Sequence, residues 1–261
     1  MLYIQNITIK YGNNKPTIEN FSMQIKSGEI IAIVGESGSG KTTVIKSILD
    51  LLPVGGKITK GDIFFEDNSL LNYTKDEWYK TRGTKISMIF QDCGSMFNPI
   101  RKIGGQFIEY IQTHEKLSKE EAHKKAVNML EHMKLPNVEN IMKSYTFQLS
   151  GGMRQRVGIA MAMTFKPKLL IADEPTSALD VTTQSQIINN MMLLRDEYNT
   201  GIVIITHNLA IATYMADKII VMKDGKIVDE GDREYILNNS KDDYTKNLLS
   251  SVPKWEEEQY A

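Results

Sequence analysis

Two short runs, GESGSGKTT at Gly35–Thr43 and KLLIADEP at Lys168–Pro175, limit what this chain can fold into more than any other feature. The first places Gly35, Gly40, Lys41 and Thr42 at the spacing G-x-x-x-x-G-K-[ST]. It follows an apolar run, Ile30–Val34, that reads as a buried strand, and it leads into a helical stretch, Thr43–Leu52. In a strand–loop–helix setting the glycines turn successive backbone N–H groups inward as a nest for phosphate oxygens, at the positive end of the helix. The loop residues Gly35, Glu36, Ser37, Gly38, Ser39, Gly40, Lys41, Thr42 and Thr43 are therefore assigned to nucleotide phosphates. Lys41 is expected to reach the β- and γ-phosphates and the Thr42 hydroxyl to ligate Mg²⁺. A glycine-rich turn arising by chance would not come with both the strand and the helix.

The second run supplies what the loop lacks. Lys168–Ala172 is mostly apolar and reads as a strand buried beside the first. Asp173 and Glu174 then emerge at its carboxyl end, where open α/β sheets place their ligands. Two adjacent carboxylates suit two tasks, holding a metal shell and accepting a proton from attacking water. Asp173 is assigned to Mg²⁺, through water, and Glu174 to the general base. An Asp-Glu pair that merely caps a strand is common, but this pair comes with a phosphate-binding loop.

The 261 residues carry a net charge of −1, which predicts one domain, with room for a subdomain, and argues against nucleic-acid binding through a basic face. A single cysteine, Cys93, excludes an intramolecular disulfide and a cysteine metal cluster. No apolar run approaches the roughly 18–20 residues that span a bilayer, so the chain is expected to be soluble or to dock on something else. Strands are predicted at Leu2–Lys10, Phe21–Ile25, Gly61–Phe65, Lys85–Phe90 and Gly201–Thr206, and a hairpin at Lys218–Met222 and Lys226–Asp229 around Asp224-Gly225. From about Cys93 to Phe165 the pattern is helical, with a capping box at Ser118 and Glu121. Further helices are predicted at Thr182–Tyr198 and Leu209–Ala216, and the tail from Tyr244 reads as polar and loose.

Between the two nucleotide runs stands LSGGMRQR at Leu149–Arg156, where Ser150, Gly151 and Gly152 open an apolar-faced helix. A helix N-terminus with exposed N–H groups is a second phosphate-binding end. One chain has no obvious need for two, so this one is read as addressing a nucleotide held by a partner. With these motifs in this order and spacing, the chain resembles the ATP-binding subunits of ABC transporters over nearly its whole length, from Tyr11 to beyond His207.

That resemblance implies an α/β fold, a P-loop ABC ATPase with a RecA-like mixed sheet core, a small antiparallel β subdomain and an inserted α-helical subdomain. It implies a single ATPase domain over residues 1–240, its helical part at about 94–165, and a short tail over 241–261. Through the resemblance, Tyr11 stacks on adenine and Gln91 touches Mg²⁺ and attacking water. The loop Ser177–Asp180 crosses between subunits, and His207 contacts the γ-phosphate beside the base. ATP and Mg²⁺ are the implied cofactors. The implied partners are a second, different ATP-binding subunit whose ATP meets Ser150–Gly152, two transmembrane permeases, and indirectly an extracellular solute-binding protein. The implied location is the cytoplasmic face of the membrane.

LSGGMRQRVGIAMA, ADEPTSALDVTTQ and YTKNLLSSVP (Tyr244–Pro253) resemble the oligopeptide, dipeptide and nickel importer branch. Cys93 stands where proline is usual there, Phe97 where leucine is, and Phe147 where histidine is frequent. The phenylalanines and the end at Ala261 look more like nickel or metallophore importers, which makes that cargo the first reading and peptide the alternative. His114, His123 and His132, nine residues apart, are read as solvated surface rather than ligands, Cys93 as a small packing residue, and Glu256–Glu258 as a solvated tail.

Overall fold

Apolar runs of five or six residues, too short for a helix to bury, organise the core as strands. The computed structural model describes residues 1–177 and 179–250. Its elements are β1 (Leu2–Tyr11), β2 (Ile18–Ile25), β3 (Ile30–Val34), α1 (Lys41–Ile48), β4 (Gly56–Phe65), β5 (Asn68–Ser69), α2 (Lys75–Thr81) and β6 (Ile86–Ile89). There follow α3 (Ile103–His114), α4 (Lys119–His132), α5 (Val138–Lys143), α6 (Gly151–Met163), β7 (Leu169–Asp173) and α7 (Val181–Tyr198). The chain continues through β8 (Gly201–Thr206), α8 (Leu209–Met215), β9 (Lys218–Lys223), β10 (Lys226–Gly231) and α9 (Asp243–Ser250).

Among the described residues, two sheets form: β2-β1-β4-β5, which is antiparallel, and β10-β9-β3-β8-β7-β6, which is parallel except for β10 at its edge. Side chains alternate across the parallel sheet and both faces are covered, which is why its strands read as continuous apolar runs. Ile31, Ile33, Ile171, Val203 and Ile205 pack with α1 and the antiparallel sheet. Ile30, Ala32, Val34, Leu170, Ala172, Ile202 and Ile204 pack with α6, α7 and α8. Cutting a fully buried member such as Ile33 to alanine costs about 3 kcal/mol, the usual loss for a large core residue.

The helix after β3 therefore lies on one face and the helix after the adjacent β8 on the other. Connections that diverge in this way open a crevice at the strands' carboxyl ends. The helical region between β6 and β7 contains α3 to α6, and α4 starts at the expected capping box: Ser118 Oγ accepts the Glu121 N–H (3.2 Å) and Glu121 accepts that of Ser118 (2.8 Å).

Three features depart from the sequence reading. Lys75–Thr81 is a helix that lacks a clear apolar stripe, started by a Thr74–Glu77 capping box. The segment from Tyr244, expected to be loose, begins as α9, with Thr245 fully buried and Tyr244, Leu248 and Leu249 against the core. His114 is not solvated surface: it packs against Tyr79, Tyr110 and Phe165, and this burial lowers its pKa. Ser251–Ala261, including Glu256–Glu258, lie outside the described residues, as does Ala178 of the Ser177–Asp180 loop.

Candidate active site

A cleft of about 450 Å³ at the carboxyl ends of the parallel strands is lined by Thr17, Ser37, Gly38, Gly40, Lys41, Thr42, Thr43, Gln91, Asp173, Glu174 and His207. Each side chain arrives by a short path from a strand end: the glycine loop from β3, Gln91 from β6, Asp173 and Glu174 from β7, and His207 from β8. Six residues from four separated stretches of sequence, Lys41, Thr42, Gln91, Asp173, Glu174 and His207, thus converge on one crevice.

The loop needs glycine at both ends. Gly35 has φ +149°, and a Cβ there would lie 2.2 Å from the Met222 carbonyl oxygen. Gly40 has φ +102°, and its Cβ would meet Ile18 Cδ1 at 2.4 Å. Neither a side chain nor an ordinary backbone conformation fits. Lys41 begins α1, and its Nζ donates to the carbonyls of Gly35 and Glu36, both at 2.7 Å. Burial lowers its pKa, and the charges of Glu174, Asp173 and Glu36 oppose that shift.

Thr42 Oγ1 lies 3.5 Å from Asp173 Oδ1. Burial raises the Asp173 pKa and the neighbouring Glu174 adds to the rise, while Lys46, the Thr42 hydroxyl and Lys41 counter it. A hydroxyl and a half-buried carboxylate crowded by a second one form an oxygen donor set short of positive charge, which fits Mg²⁺. Among the described residues no group of three or more His, Cys, Asp or Glu could hold a metal. Mg²⁺ is commonly held by one or two protein oxygens together with substrate phosphates and water.

Glu174 is held from both sides. Gln91 Nε2 donates to its Oε2 at 3.3 Å, and His207 Nδ1 lies 3.2 Å from its Oε1. Its own backbone sits at φ +45°, a left-handed conformation that costs a non-glycine residue about 1–3 kcal/mol. The Glu174 N–H still donates to Ile205 O (2.9 Å), so β8 holds the bend in place.

Other expected residues stand apart from the cleft. Tyr11 ends β1 with its ring over Gly56, whose Cβ would lie 2.6 Å from Tyr11 Cε1, and it does not line the cleft. Thr17 on the following loop does, and no motif marked it. Gly35, Glu36 and Ser39 of the loop do not line the cleft. Ser150 caps α6, its Oγ accepting the Met153 N–H (3.2 Å), while Gly152 packs so closely on Thr183 that a Cβ would lie 2.5 Å from its Cγ2. None of Ser150, Gly151 or Gly152 lines the cleft. Cys93 is fully buried against Gly158, and burial pushes its thiol pKa up to about 12, as suits a packing residue.

A family model described as ABC transporter matches residues 18–177. The oligopeptide transport ATP-binding protein AppD of Bacillus subtilis is 41% identical over 257 residues, covering 97% of this chain and 78% of that protein. The metal-staphylopine import system ATP-binding protein CntD of Staphylococcus aureus is 35% identical over 255 residues, covering 97% and 94%. Among solved structures, the dimeric post-hydrolysis state of the ATP-binding cassette MJ0796, bound to ADP and Pi, superposes with a TM-score of 0.79 at 30% identity, over 89% of this chain and 99% of that one.

Proposed function

Because the chain belongs to the ATP-binding subunits of ABC transporters and is an ATPase, we propose that Glu174 is the general base of its ATP hydrolysis and that this turnover drives import of metal–metallophore complexes or short peptides. One observation carries the catalytic assignment: Gln91 and His207 converge on the two oxygens of Glu174 in the cleft of the phosphate loop.

In this reading the inward N–H groups of the loop and the α1 N-terminus bind the phosphates, and Lys41 neutralises the β- and γ-oxygens. Glu174 takes the proton of a water that attacks the γ-phosphorus in line. The bond to the bridging oxygen breaks and ADP departs. Gln91 and His207 hold the Glu174 carboxylate in one orientation. With the ring Nδ1 facing Glu174, Nε2 is left for the γ-phosphate. Positioning and electrostatics supply most of the rate. Thr42, Gln91 and Asp173 would hold Mg²⁺, Asp173 through water. A bound Mg²⁺ offsets the phosphate charge.

Residues 1–240 act as a single ATPase domain, and Tyr11 contacts the adenine. Ser150, Gly151 and Gly152 complete the site of a second, different ATP-binding subunit. The dimeric state of MJ0796 supports such pairing. Among the described residues no helix is long and apolar enough to cross a membrane. From the family membership we infer that the chain works peripherally, at the cytoplasmic face, on two permease subunits and through them with an extracellular solute-binding protein. For the cargo, Phe97 and Phe147 favour metal–metallophore, and the higher identity to the oligopeptide protein favours peptide.

The test is uptake of labelled nickel, with and without metallophore, and of a labelled short peptide, in cells whose only copy carries Glu174→Gln. Loss of one uptake names the cargo. Normal uptake of both would overturn the importer reading.

A further inference from the structure

The phosphate loop is braced from outside as well as from within. Gly35 abuts the Met222 carbonyl, and Ser39 O accepts the Gly225 N–H at 3.0 Å, so the β9–β10 hairpin supports the loop through backbone alone. A third contact comes from a side chain far along the sequence. Tyr244 Oη accepts the Glu36 N–H at 2.9 Å. Tyr244 lies in the first turn of α9, which Asp242 caps through the Thr245 N–H (2.8 Å), beside the fully buried Thr245. The Lys223 ammonium sits 4.8 Å from the centre of the Tyr244 ring, so the phenol is held from β9 as well as from its own helix.

We propose that Tyr244 is a positioning residue for nucleotide binding: by fixing the Glu36 N–H it holds the entrance of the phosphate loop in shape and makes ATP affinity depend on the docking of α9. The proposal rests on reading this loop as the ATP site. A nest binds an anion well only when its N–H groups are already aimed inward, and Glu36 is where the chain turns from β3 into the nest. Because coupling is reciprocal, nucleotide also tightens the docking of α9. Anything that lifts α9 then weakens ATP binding, which makes this helix a control point outside the catalytic residues.

The experiment titrates the full chain, with Mg²⁺ present, with a fluorescent ATP analogue. Tyr244→Phe keeps the ring and removes the acceptor, and is expected to weaken binding about 5-fold, the equivalent of one ordinary neutral hydrogen bond. Its melting temperature without nucleotide is expected to stay within about 2 °C of wild type. Lys223→Met is expected to weaken binding by about 2- to 3-fold through the freed ring. Nucleotide should slow amide hydrogen exchange in α9 of the wild type and do so much less in Tyr244→Phe. Equal affinity in wild type and Tyr244→Phe overturns the proposal, as does a loss of affinity with no change in the exchange of α9. A wild-type chain that bound no analogue would overturn the ATP-site reading itself, and the proposal with it.

Discussion

The cleft and the LSGG segment use the same device, a glycine-containing turn opening onto a helix N-terminus, yet only one of them is surrounded by chemistry. Around Gly35–Thr43 the ends of β6, β7 and β8 deliver Gln91, Asp173, Glu174 and His207. At Ser150–Gly152 the α6 N-terminus is capped and packed on Thr183, and no residue lining the cleft belongs to it. Two regions built on the same backbone device thus differ in the side chains that surround it. The difference teaches that a helix N-terminus makes a phosphate seat, whereas the carboxyl ends of parallel strands make a reaction site. The two regions remain mechanically joined. Buried Gln155 of α6 donates to Phe90 O and accepts from Cys93 N–H, both at 3.4 Å, gripping the backbone on either side of Gln91.

Variants in the two regions should separate them. Glu174→Gln is expected to lower turnover about 1000-fold, the scale of losing a general base, while equilibrium ATP binding persists. A steady-state rate within a few fold of wild type would show that the cleft's chemistry lies elsewhere. Ser150→Arg is expected to leave ATP binding to the isolated chain unchanged and to lower turnover of the assembled transporter about 100-fold, comparable to removing one transition-state donor. Reduced ATP binding by the isolated chain would instead join the LSGG segment to its own cleft.

Asp173→Asn separates function from stability. It is expected to raise the Mg²⁺ concentration needed for half-maximal turnover about 30-fold, within the range for ligands acting through an outer shell. Its effect on melting has the opposite sign. Burial, then Glu174, raises the Asp173 pKa above its ordinary 3.8, so the folded chain holds this proton more tightly than the unfolded one. Stability therefore falls as pH rises through that window, and at neutral pH the carboxylate opposes folding. Asp173→Asn should melt higher than wild type at pH 7, and the gain should vanish below the ordinary carboxylate range, as thermal scans across pH will read.

Much of the cleft was legible because the chemistry sits next to strong structural signals. Ile30–Val34 and Gly201–Thr206 are uninterrupted apolar runs, and both form strands over those residues. Asp224 and Gly225 take the positive φ values, 48° and 76°, that their turn requires. Where a residue acts through a distant neighbour, the sequence was silent. Thr17 lines the cleft only because the β1–β2 loop folds over it, and Tyr244 reaches Glu36 across 208 positions. Helix α2 escaped because KDEWYKT has little apolar periodicity, although Thr74 and Glu77 were the available sign. His114 was read from the spacing of histidines, whereas its burial is set by Tyr79, Tyr110 and Phe165 from separate stretches.

The reach of the LSGG segment to a nucleotide held by another chain is open to a single labelling experiment. Cys93 is the chain's one cysteine and is fully buried, which shields its thiol and pushes its pKa up, so Ser150→Cys introduces one accessible sulfur. An ATP analogue with a thiol-reactive group on its γ-phosphate is added to the assembled transporter, with Lys41→Ala placed in this chain to disable its own phosphate loop. Labelling of the introduced cysteine that survives Lys41→Ala, and that disappears when the chain is isolated from its partners, is the predicted result. Labelling that Lys41→Ala abolishes, or that proceeds equally in the isolated chain, would contradict a site shared between two chains.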